Sequence, residues 1–118
     1  MTDLKTAKEF YKQTRREMGI YQIKNLASGK IYLGRSADLN GKFNSERFLL
    51  KNGMHVNKEL QNDFTMLGEE KFVFEILDRL QPRENPDYDY SADLQTLESM
   101  WLEKLQPVGP GGYHRKKP

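Results

Sequence analysis

Glu98 stands among apolar residues. Leu94, Leu97, Trp101, Leu102 and Leu105 recur at helical spacing, and Glu98 falls at the rim or centre of that stripe. Taking a carboxylate out of water is costly, so an acid placed there calls for a cation. Two partners satisfy it: a surface lysine or a divalent metal ion. Tyr21 and Tyr32 form a second candidate pair, 32 − 21 = 11 residues apart, in Gly19-Ile20-Tyr21 and Tyr32-Leu33-Gly34. Tyrosines on paired strands either pack as cross-strand aromatics or offer two hydroxyls to one pocket. Asp87 and Asp89 alternate like calcium-loop ligands, but the glycine and closing glutamate of such a loop are missing, so they read as a solvated loop. There is no glycine-rich phosphate loop, serine elbow or zinc cluster. With no cysteine, a thiolate metal site, a cysteine nucleophile and a disulfide scaffold are excluded.

These residues need elements to hold them. At 118 residues the chain is sized for one domain, and 11% aromatic content argues for a packed core. Leu4, Ala7, Lys8, Tyr11 and Thr14 follow three-four spacing and predict a helix over 4–16, ended by Met18-Gly19. Residues 20–24 alternate and are β-branched or aromatic, 25–30 hold hairpin turn residues, and 31–34 form the returning strand. A helix is expected from Gly41 or Phe43 to Lys51, with Ser36 or Asp38 as candidate caps and Asn52-Gly53 as its stop. Asn57 caps a second helix carrying Leu60, Phe64 and Leu67, which Gly68 ends. Residues 71–77 form a third strand, 81–91 a loop and 92–105 a helix, with a tail from Pro107 onward. The expected fold class is α+β: a small three-stranded antiparallel sheet flanked by helices, with an extra N-terminal helix.

Read together, these segments resemble the GIY-YIG nuclease family. Leucine replaces the middle residue of the second triplet. Gly29-Lys30-Ile31-Tyr32-Leu33-Gly34-Arg35-Ser36 is like the family's second strand and its exit, and Asn57-Lys58-Glu59-Leu60-Gln61 and Phe72-Val73-Phe74-Glu75-Ile76-Leu77 are like its middle blocks. Leu97-Glu98-Ser99-Met100-Trp101-Leu102 resembles the block with the metal-binding glutamate, and Gly112-Tyr113-His114 resembles a closing Gly-Tyr-Asn. The likeness spans about residues 18–114, dividing the chain into an N-terminal helix (1–17), a GIY-YIG-like domain (18–114) and a basic tail (115–118).

The resemblance implies metal-dependent hydrolysis of DNA phosphodiesters, using Mg²⁺ or Mn²⁺. It assigns Tyr21 and Tyr32 to catalysis, the first helping to activate the attacking water, and Glu98 to the metal. The family's phosphate-neutralising arginine is replaced by Lys42; Arg47, five residues on and on another helix face, is the alternative cation. Glu46, one turn after Lys42, stands where many relatives carry histidine and can pair with that lysine. His55 precedes the Asn57 block, as a histidine often does in the family, and joins the catalytic set. His114 replaces the closing asparagine.

Net charge is only +2, too small to imply nucleic-acid binding alone. Its distribution is uneven: 1–58 is basic, 81–103 carries six acids against Arg83, and 114–117 is basic. DNA contacts are accordingly expected from Lys30, Arg35, His114, Arg115 and Lys116. No apolar run of about 18 residues exists to span a membrane, and no secretory signal is recognisable, so the expected location is the cytoplasm. Two functions stay open: a DNA endonuclease, or a catalytically degenerate DNA-binding or regulatory module with the same fold. A third, a protein–protein module, is favoured only by the acidic, tyrosine-containing 81–91 loop.

Overall fold

A computed structural model describes residues 16–85 and 87–114. The helix expected over 4–16, and the tail residues Arg115 and Lys116, lie outside this range apart from Arg16, which is not helical. The described elements run β1 (Gly19–Asn25), β2 (Ile31–Ser36), α1 (Leu39–Lys51), α2 (Lys58–Leu67), β3 (Phe72–Arg79) and α3 (Ser91–Leu105). The three strands form one antiparallel sheet in the order β2-β1-β3.

β1 is central and buried along its length except at half-buried Lys24. Strand alternation sends Tyr21, Ile23 and Asn25 to one face and Ile20, Gln22 and Lys24 to the other. Tyr21 and Ile23 pack with Leu39 and Leu50 of α1, Leu60 and Phe64 of α2, Phe72 and Tyr113. Helix α3 lies against β1 and β2 and buries Leu94. Trp101 ties it to β3 by donating its indole N–H to Asp78 Oδ2 at 3.1 Å. An extra residue in β3 opposite Ile20/Tyr21 shifts the register, a bulge that bends the strand beside the first tyrosine.

Helix α1 starts two residues before Gly41, the earliest expected start. Asp38 is the cap: its Oδ1 accepts the Gly41 N–H at 3.1 Å. Gly41 makes room for this, since a Cβ there would sit 2.4 Å from Asp38 Oδ2. The glycine therefore permits the cap, and the capping bond offsets its weak helix propensity. Helix α2 begins as expected, with Asn57 Oδ1 accepting from Leu60 N–H at 3.0 Å.

The segment from Pro107 is more than a tail. Gly112 bridges Ile31 in parallel register, and the Tyr113 N–H donates to the Ile31 carbonyl at 3.0 Å. Asn57 clamps this return, donating its side-chain N–H to the Tyr113 carbonyl at 2.9 Å. The Tyr113 hydroxyl accepts from Asn25 Nδ2 and donates to Asp63 Oδ2, at 3.0 and 2.8 Å. Asn57 thus serves both a helix start and the 112–114 return. Replacing it with alanine removes both bonds and should cost about 2 kcal/mol, read as a lower urea midpoint. An unchanged midpoint would contradict this double role.

Candidate functional site

Tyr21 and Tyr32 share a face. In the β1–β2 register Tyr21 opposes Gly34 and Ile23 opposes Tyr32, so all four positions face the α1/α2 side. The Tyr21 ring runs across β2 at Gly34, where a Cβ would lie 2.5 Å from the phenol oxygen. Only glycine leaves that path open. Tyr21 is 1% exposed, yet its hydroxyl has no hydrogen-bond partner among the described residues and is not a sealed, unsatisfied group. Its remaining exposure is therefore at the hydroxyl. Burial raises its pKa far above the usual phenol value, and Glu46, Tyr32 and Glu98 push the same way. Tyr32 is pushed up to about 12 by burial, then by Glu46 and Glu98. Both tyrosines are therefore neutral phenols near neutral pH.

Below them lies a buried acid–imidazole pair. Leu39, Phe43, Glu46 and Leu50 fall on the inner face of α1, so the stripe that builds the core carries Glu46 inward. Glu46 is 3% exposed and His55 is fully buried. His55 Nδ1 accepts the Asn57 N–H at 3.0 Å, which puts the ring proton on Nε2 for donation to Glu46 Oε2 at 2.7 Å. The other carboxylate oxygen faces Lys42 Nζ at 3.5 Å. Glu46 thus holds Lys42 in place and offsets part of its charge. The Tyr32 ring packs edge-on against His55.

His114 covers the other side of Tyr32, stacked with ring centroids 5.2 Å apart. Its Nε2 accepts the Leu33 backbone N–H at 2.8 Å, which leaves the proton on Nδ1. Burial lowers its pKa from the usual 6.5, outweighing the opposing pull of Glu98.

Glu98, on α3, has a side chain 19% exposed, and its charge reaches Tyr21, Tyr32 and His114. Its Oε1 accepts from Arg35 Nη1 at 2.5 Å. Tyr21, Tyr32, Lys42, Glu46, His55, His114, Arg35 and Glu98 are therefore linked around β2 by contacts and charge. Arg47 stacks on Phe74 at 4.4 Å, and Phe43 touches both Phe74 and the Tyr21 ring. This places its guanidinium on the β3 side of the aromatics. Lys30 pairs with Glu59 and lies over the Tyr113 ring.

The sequence pattern carried a signal for Glu46 as a site member, because it completes the apolar stripe of α1 just as Glu98 completes that of α3. The Arg35–Glu98 pair, 63 residues apart, had none. Among the described residues no three Asp, Glu or His side chains cluster as a ready metal cage. Glu98 nonetheless fits a hard cation. It is a mostly buried oxygen donor joined to Arg35 through a single oxygen, and an ion that keeps several waters can be held by one carboxylate.

No protein-family model matches the chain, and no curated protein does. Two solved structures align with it. One is the catalytic domain of the homing endonuclease I-TevI, with 26% identity and a TM-score of 0.69, covering 85% of this chain and 99% of that one. The other is a glutamate-to-alanine mutant of the intron endonuclease I-TevI catalytic domain, with 27% identity and a TM-score of 0.63, covering 76% of this chain and 84% of that one. The fold is GIY-YIG-like, and the likeness is to nuclease catalytic domains. No helix among the described residues is long and apolar enough to cross a membrane.

The His114 contact has a pH signature. Its neutral form is favoured on folding, so the unfolded chain binds the proton first as pH falls. Stability is lost from about the unfolded value, 6.5, down to the lowered folded value. Urea unfolding from pH about 7 to about 5 should show a steeper loss in the wild type than in His114→Gln, whose Oε1 lies where Nε2 does and can accept the same bond but does not titrate. Parallel loss in both chains would contradict the assignment.

Proposed function

We propose that the chain is a metal-dependent endonuclease domain that hydrolyses DNA phosphodiester bonds. The observation that carries this reading is the linkage of Tyr21, Tyr32, Lys42 and Glu98 around one edge strand, in a fold like that of a nuclease catalytic domain. Glu98 would hold Mg²⁺ or Mn²⁺. When bound, the ion supplies Lewis-acid charge to the phosphate and its leaving oxygen.

The residues of this chain set up the rest. Tyr21 is a neutral phenol, so it orients the attacking water by hydrogen bonding rather than standing ready as a phenolate. Gly34 lets its hydroxyl reach the solvent side of β2. Tyr32, held between His55 and His114, presents the second hydroxyl in a fixed direction. Lys42 supplies the cation for charge building on the phosphate, held by Glu46, which His55 orients in turn. A fixed donor to such charge is worth about 2.7–4 kcal/mol. Arg47, committed to Phe74, is not needed in this arrangement.

The competing reading is a degenerate DNA-binding module. Two observations favour it: Lys42 shares its charge with Glu46, and Glu98 is paired with Arg35. Nicking of supercoiled plasmid in Mg²⁺ or Mn²⁺ decides between them. An enzyme requires nicking that chelation stops, that Tyr21→Phe and Glu98→Gln abolish, and that Lys42→Ala lowers about 10²–10³-fold. Salt-sensitive DNA binding without metal-dependent nicking would establish the module instead.

A further inference from the structure

Arg35 follows Gly34 on the edge strand, with a side chain 44% exposed. Its Nη1 meets Glu98 Oε1 at 2.5 Å, one nitrogen to one oxygen. The carboxylate assigned to the metal thus already carries a cation. Arginine and a divalent ion cannot both neutralise one carboxylate at full strength, since each repels the other across it. Arginine also has a better partner available. A phosphodiester offers two oxygens to the planar guanidinium fork, where Glu98 engages a single nitrogen. Arg35 is partly open to solvent, and a partly exposed ion pair is easily exchanged.

We propose that Arg35 is an exchangeable counter-ion that couples metal binding to DNA binding. Without DNA it occupies Glu98 and holds metal affinity low. A backbone phosphate draws it away, and Glu98 is released to the incoming ion. By linkage, metal tightens DNA binding by the same factor that DNA tightens metal binding. The inference rests on the nuclease reading of Glu98. It makes Arg35 a positioning residue that acts through Glu98, and its consequence is that metal loading is confined to the DNA-bound protein.

Isothermal titration of Mn²⁺ tests this without relying on cleavage. In the free protein, Arg35→Ala should bind Mn²⁺ about tenfold more tightly than the wild type, whereas Arg35→Lys, which keeps the charge, should stay near the wild type. A short duplex with hydrolysis-resistant phosphorothioate linkages should raise Mn²⁺ affinity in the wild type and raise it far less in Arg35→Ala. Glu98→Gln should bind no Mn²⁺ in either state. Mn²⁺ binding that Glu98→Gln removes but Arg35→Ala leaves unchanged would overturn the exchange while sparing the nuclease reading. Absence of Mn²⁺ binding in wild type and Arg35→Ala alike, with and without duplex, would overturn both.

Discussion

Among the described residues the outer edge of β2 has no neighbouring strand, and its backbone groups still need partners. The rest of the site depends on how that need is met. Residues 112–114 return along the edge: Tyr113 donates to the Ile31 carbonyl, and the Leu33 N–H is taken by the His114 ring rather than by another backbone. A side chain recruited to close a sheet edge is thereby fixed against Tyr32. The same return is held from below by Asn57, which also starts α2 and orients His55 through its backbone N–H. The short return therefore covers the edge and fixes the His114 tautomer against Tyr32, while Asn57, which clamps it, fixes that of His55.

Charge in the site is organised in two compensated pairs on either side of this edge. Glu46 is balanced by Lys42, with His55 donating to its other oxygen, and Glu98 by Arg35. Burial keeps the tyrosines protonated, and both carboxylates push in the same direction. A phosphodiester and a metal ion entering together bring opposite charges to such a site, and each can replace one protein counter-ion. In the proposed enzyme lysine can stand in the arginine's place, because buried Glu46 fixes the direction of an otherwise flexible ammonium group.

Much of this was legible in the residues. The alternating runs around Ser28-Gly29 define the hairpin, and its register puts Tyr21 and Tyr32 on one face without further information. Glu98 was visible as an acid in an apolar stripe, and Asn57 and Gly68 bracket α2 by local capping chemistry alone. The start of α1 was misplaced because Gly41 reads as a helix breaker until Asp38 is seen folded over it. The 107–114 return was missed because glycines and prolines carry no strand pattern, and its pairing is with a distant edge. The Arg35–Glu98 and Glu46–His55 pairs are tertiary juxtapositions, set by how α3 and the α1–α2 turn pack, and spacing along the chain does not encode them.

The central claim is that Glu98 is a metal ligand beside the two tyrosines, and anomalous scattering from crystals of the protein with Mn²⁺ and a phosphorothioate duplex tests it most directly. The account predicts one manganese peak on Glu98, with Arg35 turned onto a phosphate and the Tyr21 hydroxyl facing the same phosphorus. A duplex bound with no manganese at Glu98, or with manganese only at a site remote from Tyr21, would contradict it.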